Sequence, residues 1–108
     1  MSRDPLPLGE FEQMVLLAVL RCGEDAYGVT VQDELARRTR RRAASGAIYM
    51  TLDRLEKKGF LTSRLTAPTA ERGGRAKRCY AVTKPALAAL KHSRRALLSL
   101  WDGLEFAD

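Results

Sequence analysis

The sequence predicts a mainly helical α+β chain: three helices, a small basic β-hairpin and a long closing helix. Three observations carry this expectation. Apolar residues recur at helical spacing in separate stretches of the chain. A turn-rich segment, PTAERGGR at 68–75, divides two short stretches that suit β-strands. The positive charge is also gathered into one block. Residues 1–36 carry two basic and seven acidic groups, residues 37–78 thirteen basic and three acidic, and residues 79–108 four basic and three acidic.

Residues 1–7 read as a short, polar, proline-containing arm. Leu8 to Cys22 reads as the first helix, with Glu10 and Glu12 in its first turn, where carboxylates favour the positive end of the helix dipole. Its middle is apolar on nearly all sides, which implies burial against its own core and a partner chain together. Gly23-Glu24-Asp25 breaks the chain. Tyr27 to about Arg38 reads as the second helix, with Tyr27, Val31 and Leu35 on one face, and RRTRRR at 37–42 ends it. Ser45 is the expected N-cap of a third helix whose buried stripe is Ile48, Leu52 and Leu55, and Gly59 is its expected stop. Phe60 to Thr66 and Lys77 to Thr83 read as the two strands, with Gly73-Gly74 freeing the backbone to reverse between them. Thr83 is placed to cap the last helix, and Pro85 falls in its first turn, where a missing N–H does little harm. That helix is expected to reach about Leu104, with Leu87, Leu90, Leu97, Trp101 and Leu104 along a seam suited to self-association.

Several function classes are excluded or disfavoured. The longest apolar run, Met14 to Leu20, has seven residues, whereas a membrane span needs roughly 20. No signal peptide is read at the N-terminus, so a cytoplasmic protein without membrane contact is expected. Cys22 and Cys79 are far apart and His92 is the single histidine, so no metal site and no cofactor are expected. Two reduced thiols are the plain reading of the cysteines, with a regulatory disulfide as the alternative. No phosphate loop, carboxylate pair or nucleophile elbow is present, so no enzyme is expected.

A basic block laid over a capped helix and a hairpin is the electrostatic footprint of a polyanion partner. A single helix fits the major groove of double-stranded DNA, which is about 12 Å wide. On the third helix, Tyr49 and Arg54 are the side chains best equipped to meet base edges, and Met50 suits a thymine methyl. Ala47 and Lys57 share its exposed faces, and Ser45 with the nearby N–H groups can hold a phosphate. In the hairpin, Arg72 and Arg75 flank Gly73 and Gly74, and Lys77 follows, so the tip suits a minor groove or its phosphates. Arg41 and Arg42, within the arginine run, read as a phosphate clamp, with a solvated face as the plainer alternative. A helix followed at once by a basic hairpin makes a winged helix-turn-helix domain over residues 8–83. A dimerisation helix follows over 84–108. Trp101 reads first as an interface anchor. The alternative is a stacking platform for a small aromatic effector.

LGEFEQMVLLAVL, AYGVTVQDEL, SGAIYMTLDRLEKKGFL and GGRAKRCYAVT stand in the order found in PadR-type transcriptional regulators, and the chain resembles that family from about Leu8 to Thr83. Its length is similar to that of the family's short form, with a single C-terminal helix. The resemblance implies a homodimer built through the C-terminal and first helices, where Leu16 is the expected first-helix contact. It also implies repression at a palindromic operator. By position, Tyr49 falls on the motif tyrosine of the recognition helix, and Gly73, Gly74 and Arg75 on the wing tip. Two residues depart from the pattern: Pro85 where glycine is common, and Cys79 where an aromatic is common. Some members bind phenolic or planar compounds near the interface helix, which is where Trp101 falls. Two other readings remain open at this level: an architectural protein that binds DNA without sequence preference, and a winged-helix module that binds protein.

Overall fold

The structure is a computed structural model that describes residues 8–66 and 76–106. The N-terminal arm and the hairpin tip, with Arg72, Gly73, Gly74 and Arg75, lie outside the described residues. The order is α1 (Glu10–Cys22), a 3-10 turn at Gly23–Asp25, α2 (Gly28–Thr39), α3 (Ser45–Lys57), β1 (Leu61–Leu65), β2 (Arg78–Val82) and α4 (Lys84–Trp101). β1 and β2 pair antiparallel, with Leu61 opposite Val82 and Leu65 opposite Arg78. This is the α+β arrangement expected from the sequence.

Each helix buries one stripe, and the stripes meet. Val15 and Leu16 of α1, Val31 of α2, Ile48, Leu52 and Leu55 of α3, and Leu61 of β1 form the innermost core. α1, α2 and α3 pack pairwise, and α1 also lies against β2. Ala86, Ala89 and Leu90 bring the first turns of α4 into the same core. The boundary at 83/84 therefore falls within one core, and the exposed part of α4 begins further along.

Local signals set the element ends. Gly59, at φ 82°, follows α3; its N–H donates to Glu56 O at 3.0 Å and the Phe60 N–H donates to Leu55 O at 2.9 Å. This is the two-bond glycine stop that satisfies the last carbonyls of a helix. Thr83 Oγ1 accepts from the Ala86 N–H at 3.4 Å and donates to Gly59 O at 2.8 Å, while the Thr83 N–H donates to Phe60 O at 3.1 Å. One residue thus caps α4 and clasps it to the end of α3. At the other side, the Tyr80 N–H donates to Ala26 O at 2.8 Å and ties β2 to the turn before α2.

Four expectations are corrected. α1 begins at Glu10, because the Gly9 N–H is taken by the Glu12 carboxylate at 3.0 Å, which closes the first turn there. Ser45 is the first residue of α3 and Ala44 the cap; the Ser45 hydroxyl instead faces Gln32 Oε1 at 3.5 Å. α4 stops at Trp101, since Asp102 leaves helical geometry and Gly103 has φ 80°. Leu16 is 0% exposed within its own chain and so is not a partner contact. It shares the inward face of α1 with Glu12, Val15 and Val19, and Leu17 and Leu20 are the exposed leucines.

Candidate nucleic-acid interface

α2 presents α3. Gln32 Nε2 donates to Ala43 O at 2.9 Å and pins the connection between the two helices. With Ile48, Thr51, Leu52 and Leu55 buried, α3 turns Gly46, Ala47, Tyr49, Met50, Asp53 and Lys57 to solvent. Tyr49 is 49% and Met50 68% exposed. For a large ring and a thioether on a rigid helix, this exposure is unexplained by packing.

The Tyr49 ring leans on Gly28, the first residue of α2. A Cβ at Gly28 would lie 2.2 Å from Tyr49 Oη and 2.3 Å from Cζ, so only glycine lets the ring lie there. Its neighbour Tyr27 carries the Lys77 ammonium over its ring, 3.9 Å from the centroid. Tyr27-Gly28 is therefore a joint where α3 and the base of the hairpin meet. Tyr49 and Lys77, separate candidates in the sequence, both meet this joint, and Gly28 was not among the candidates. Its signal was a glycine at a helix start where no turn needs one.

The acidic first third and the basic middle third are wired together. Glu12 Oε2 accepts from Lys58 Nζ at 2.8 Å and Arg54 Nε at 3.2 Å, while Oε1 takes the Gly9 N–H. Burial pushes this carboxyl up, but Lys58, the Gly9 N–H and Arg54 outweigh it and hold it below the ordinary carboxylate value. Glu34 is bound by Arg37, Arg21 at 3.0 Å and Arg38 at 3.2 Å. The Arg37 contact leads in lowering its pKa against burial, with Arg21 and Arg38 adding to it.

These pairs sort the basic candidates. Arg54 was expected as a base reader; its Nε donates to Glu12 on the α1 side of α3, and its side chain stays 50% exposed. Arg41 reaches Glu10 at 3.0 Å, and Lys57 reaches Asp53 at 3.1 Å. Both of those pairs are exposed at each end, and such pairs hold by only ~0–1 kcal/mol, so their cations exchange readily. Arg42, Arg40 and Arg64 have no ion-pair partner among the described residues. The arginine run is thus divided: Arg37 and Arg38 brace Glu34, and Arg40 and Arg42 face solvent.

A second surface lies on the distal half of α4. Leu97, Leu98, Leu100 and Trp101 are exposed, Trp101 at 56%, and Phe106 packs edge-on against Trp101 with centroids 6.0 Å apart. A groove of about 470 Å³ runs between this helix and Leu17 and Leu20 of α1. Of the expected seam, Leu90 is buried in its own core, Leu87 is half-buried, and Leu97, Trp101 and Leu104 are exposed. Cys79 is buried and Cys22 half-buried; burial pushes the Cys22 thiol up, which disfavours a reactive thiolate. Among the described residues no helix is long and apolar enough to cross a membrane.

Solved structures share this fold. A PadR family regulator from Eggerthella lenta is 23% identical, with 87% of this chain and 81% of that chain covered and a TM-score of 0.67. A PadR-like regulator from Bacillus cereus is 21% identical, with coverage of 87% and 93% and a TM-score of 0.65. One from Clostridium difficile is 20% identical, with coverage of 85% and 95% and a TM-score of 0.65. A search of curated proteins gives no match. The family model described as "Transcriptional regulator PadR-like family" matches residues 16–91, from the middle of α1 through the first half of α4. This chain is a DNA-binding transcription regulator and belongs to the PadR-like family.

Proposed function

We propose that the protein is a repressor that occupies a palindromic operator as a homodimer. The observation that carries this reading is the joint at Tyr27-Gly28, which brings the exposed edge of α3 and the base of the basic hairpin to one side of the chain. In this reading α3 enters the major groove, with Ala47, Tyr49 and Met50 at base edges. Ser45 and the first N–H groups of α3 meet a phosphate. Arg41, Arg42, Lys57 and Lys77 meet the flanking backbone, and Arg72, Gly73, Gly74 and Arg75 form the tip that reaches the adjacent groove. The apolar groove between α1 and the distal half of α4 supports a second copy as its cover, through Leu17, Leu20, Leu97, Trp101 and Leu104. Two copies would read half-sites about one helical turn apart, roughly 34 Å.

Titration of the duplex upstream of its own gene against a scrambled duplex, at about 150 mM salt, tests the reading. Preference for the promoter duplex is expected. Equal competition by scrambled DNA would favour an architectural role, and absence of binding at any salt would favour a protein-interaction module. A reporter from that promoter should fall when the protein is supplied; a rise would make it an activator. Release by a planar aromatic effector at Trp101 predicts quenching of its fluorescence together with loss of the DNA complex. Trp101 as interface anchor alone predicts neither.

A further inference from the structure

The contacts of Glu12 have a consequence for specificity. The carboxylate is largely buried at the start of α1, and it spans to two cations near the end of α3, Arg54 and Lys58. These lie four residues apart, so they share one flank of the helix. That flank faces α1, whereas Met50, Asp53 and Lys57 point away from the core. Both side chains retain exposed surface and length, and without Glu12 nothing among the described residues would hold Lys58. Arg54 would keep only its 3.4 Å contact with Thr51 Oγ1.

We propose that Glu12 is a specificity-determining positioning residue that withholds Arg54 and Lys58 from the DNA backbone. Contacts to phosphate add affinity for every sequence alike, and each steepens the fall of log affinity with log salt by about 0.9. Contacts to base edges add affinity for one sequence. By neutralising two cations beside the reading face, Glu12 keeps the first kind of contact from swamping the second. The same bond also sets the seat of α3 on α1. This inference rests on the DNA-binding reading above.

Glu12→Gln keeps the volume and an acceptor for the Gly9 N–H but removes the charge. Binding of the full chain to promoter and scrambled duplexes is measured across salt concentrations. For Glu12→Gln, scrambled DNA should bind more tightly, the promoter-to-scrambled ratio should fall, and the slope should steepen by about 1–2. Adding Arg54→Gln and Lys58→Gln should return the slope to that of the parent. An unchanged slope with a uniform loss on both duplexes would mean that Glu12 only holds the fold, and would overturn the proposal.

A second variant decides the matter if Glu12→Gln does not fold. In the otherwise native chain, Arg54→Gln with Lys58→Gln should leave the scrambled-DNA slope as it was. A slope flattened by about 1–2 would show both cations already on phosphates and would overturn the proposal. If the native chain binds no DNA at all, the functional reading fails and takes this inference with it. If it binds DNA with the contrary slopes, this inference alone fails.

Discussion

Gly28→Ala separates folding from reading in one substitution. Gly28 opens α2 and is not in the left-handed region, so alanine suits its backbone and gains up to about 0.5–1 kcal/mol of helix preference. The obstacle is one side chain. The new Cβ would sit 2.2–2.5 Å from three atoms of the Tyr49 ring, against an ordinary contact of 3.4–4 Å, so the ring must retreat by more than 1 Å. Tyr49 is half exposed and has solvent to move into, so the cost is that of a displaced rotamer, ~0.5–1.5 kcal/mol. The two effects nearly cancel, and urea denaturation should place the variant within about 1 kcal/mol of the parent. DNA binding should not cancel. A base-edge contact is worth ~1–3 kcal/mol, so moving Tyr49 should weaken promoter binding by roughly 5- to 150-fold and spare scrambled DNA. In a Tyr49→Ala background the clash is absent. There Gly28→Ala should stabilise the fold slightly and leave DNA affinity alone. Native promoter affinity in Gly28→Ala, or a further loss in the double variant, would refute the argument that Gly28 seats Tyr49.

Other outcomes follow from the same contacts. Glu12 and Glu34 have folded pKa values below the ordinary 4.5, so their stabilisation is complete above about pH 4.5 and lost as pH falls through the lowered values. Urea midpoints should therefore drop steeply below about pH 4.5, and Glu34→Gln should flatten the drop; an unaltered profile would contradict the role of the Glu34 cluster. Leu16→Ala removes a fully buried side chain and should cost ~2–5 kcal/mol of stability, read by denaturation at a protein concentration where the association state is unchanged. Trp101→Ala should do the converse. Light scattering should show weaker association, while the far-ultraviolet spectrum stays native; a dimer as tight as the parent's would remove Trp101 from the interface.

What the sequence reveals here is what short spacing controls. The four helices, the two strands, the Thr83 cap and the Gly59 stop each depend on residues within a few positions of one another, and each stands within two or three residues of its expected place. Leu16 went astray because Met14 to Leu20 is apolar throughout. An unbroken run erases the period that tells an inward leucine from an outward one, and only packing distinguishes Leu16 from Leu17. The Glu12 contact of Arg54 could not be read because its partner lies 42 residues earlier, and Lys58 meets the same carboxylate across 46. Charge in a sequence can be counted, but the count does not say which cations already have an anion. The Glu34 hub was hidden similarly, since Arg21 reaches it from another helix. Tyr49 stands out by its resemblance to a motif and its place on an exposed face, yet the glycine against which its ring lies carries no chemistry of its own to draw notice.

The clasp at Thr83 ties the end of α3 directly to the start of α4. Its N–H and its hydroxyl both hold the turn at Gly59-Phe60, and the same hydroxyl begins the next helix. α4 is therefore a lever joined to α3, the helix proposed to read DNA, and is 18 residues and about 27 Å long. A tilt of about 10° at the clasp moves its far end by roughly 5 Å. In a dimer joined at that far end, the gauge between the two reading helices is set by how the levers cross. In such a dimer, a duplex with half-sites spaced a base pair wider would be met by a tilt of this kind or by re-seating Leu97 and Trp101 against the other copy.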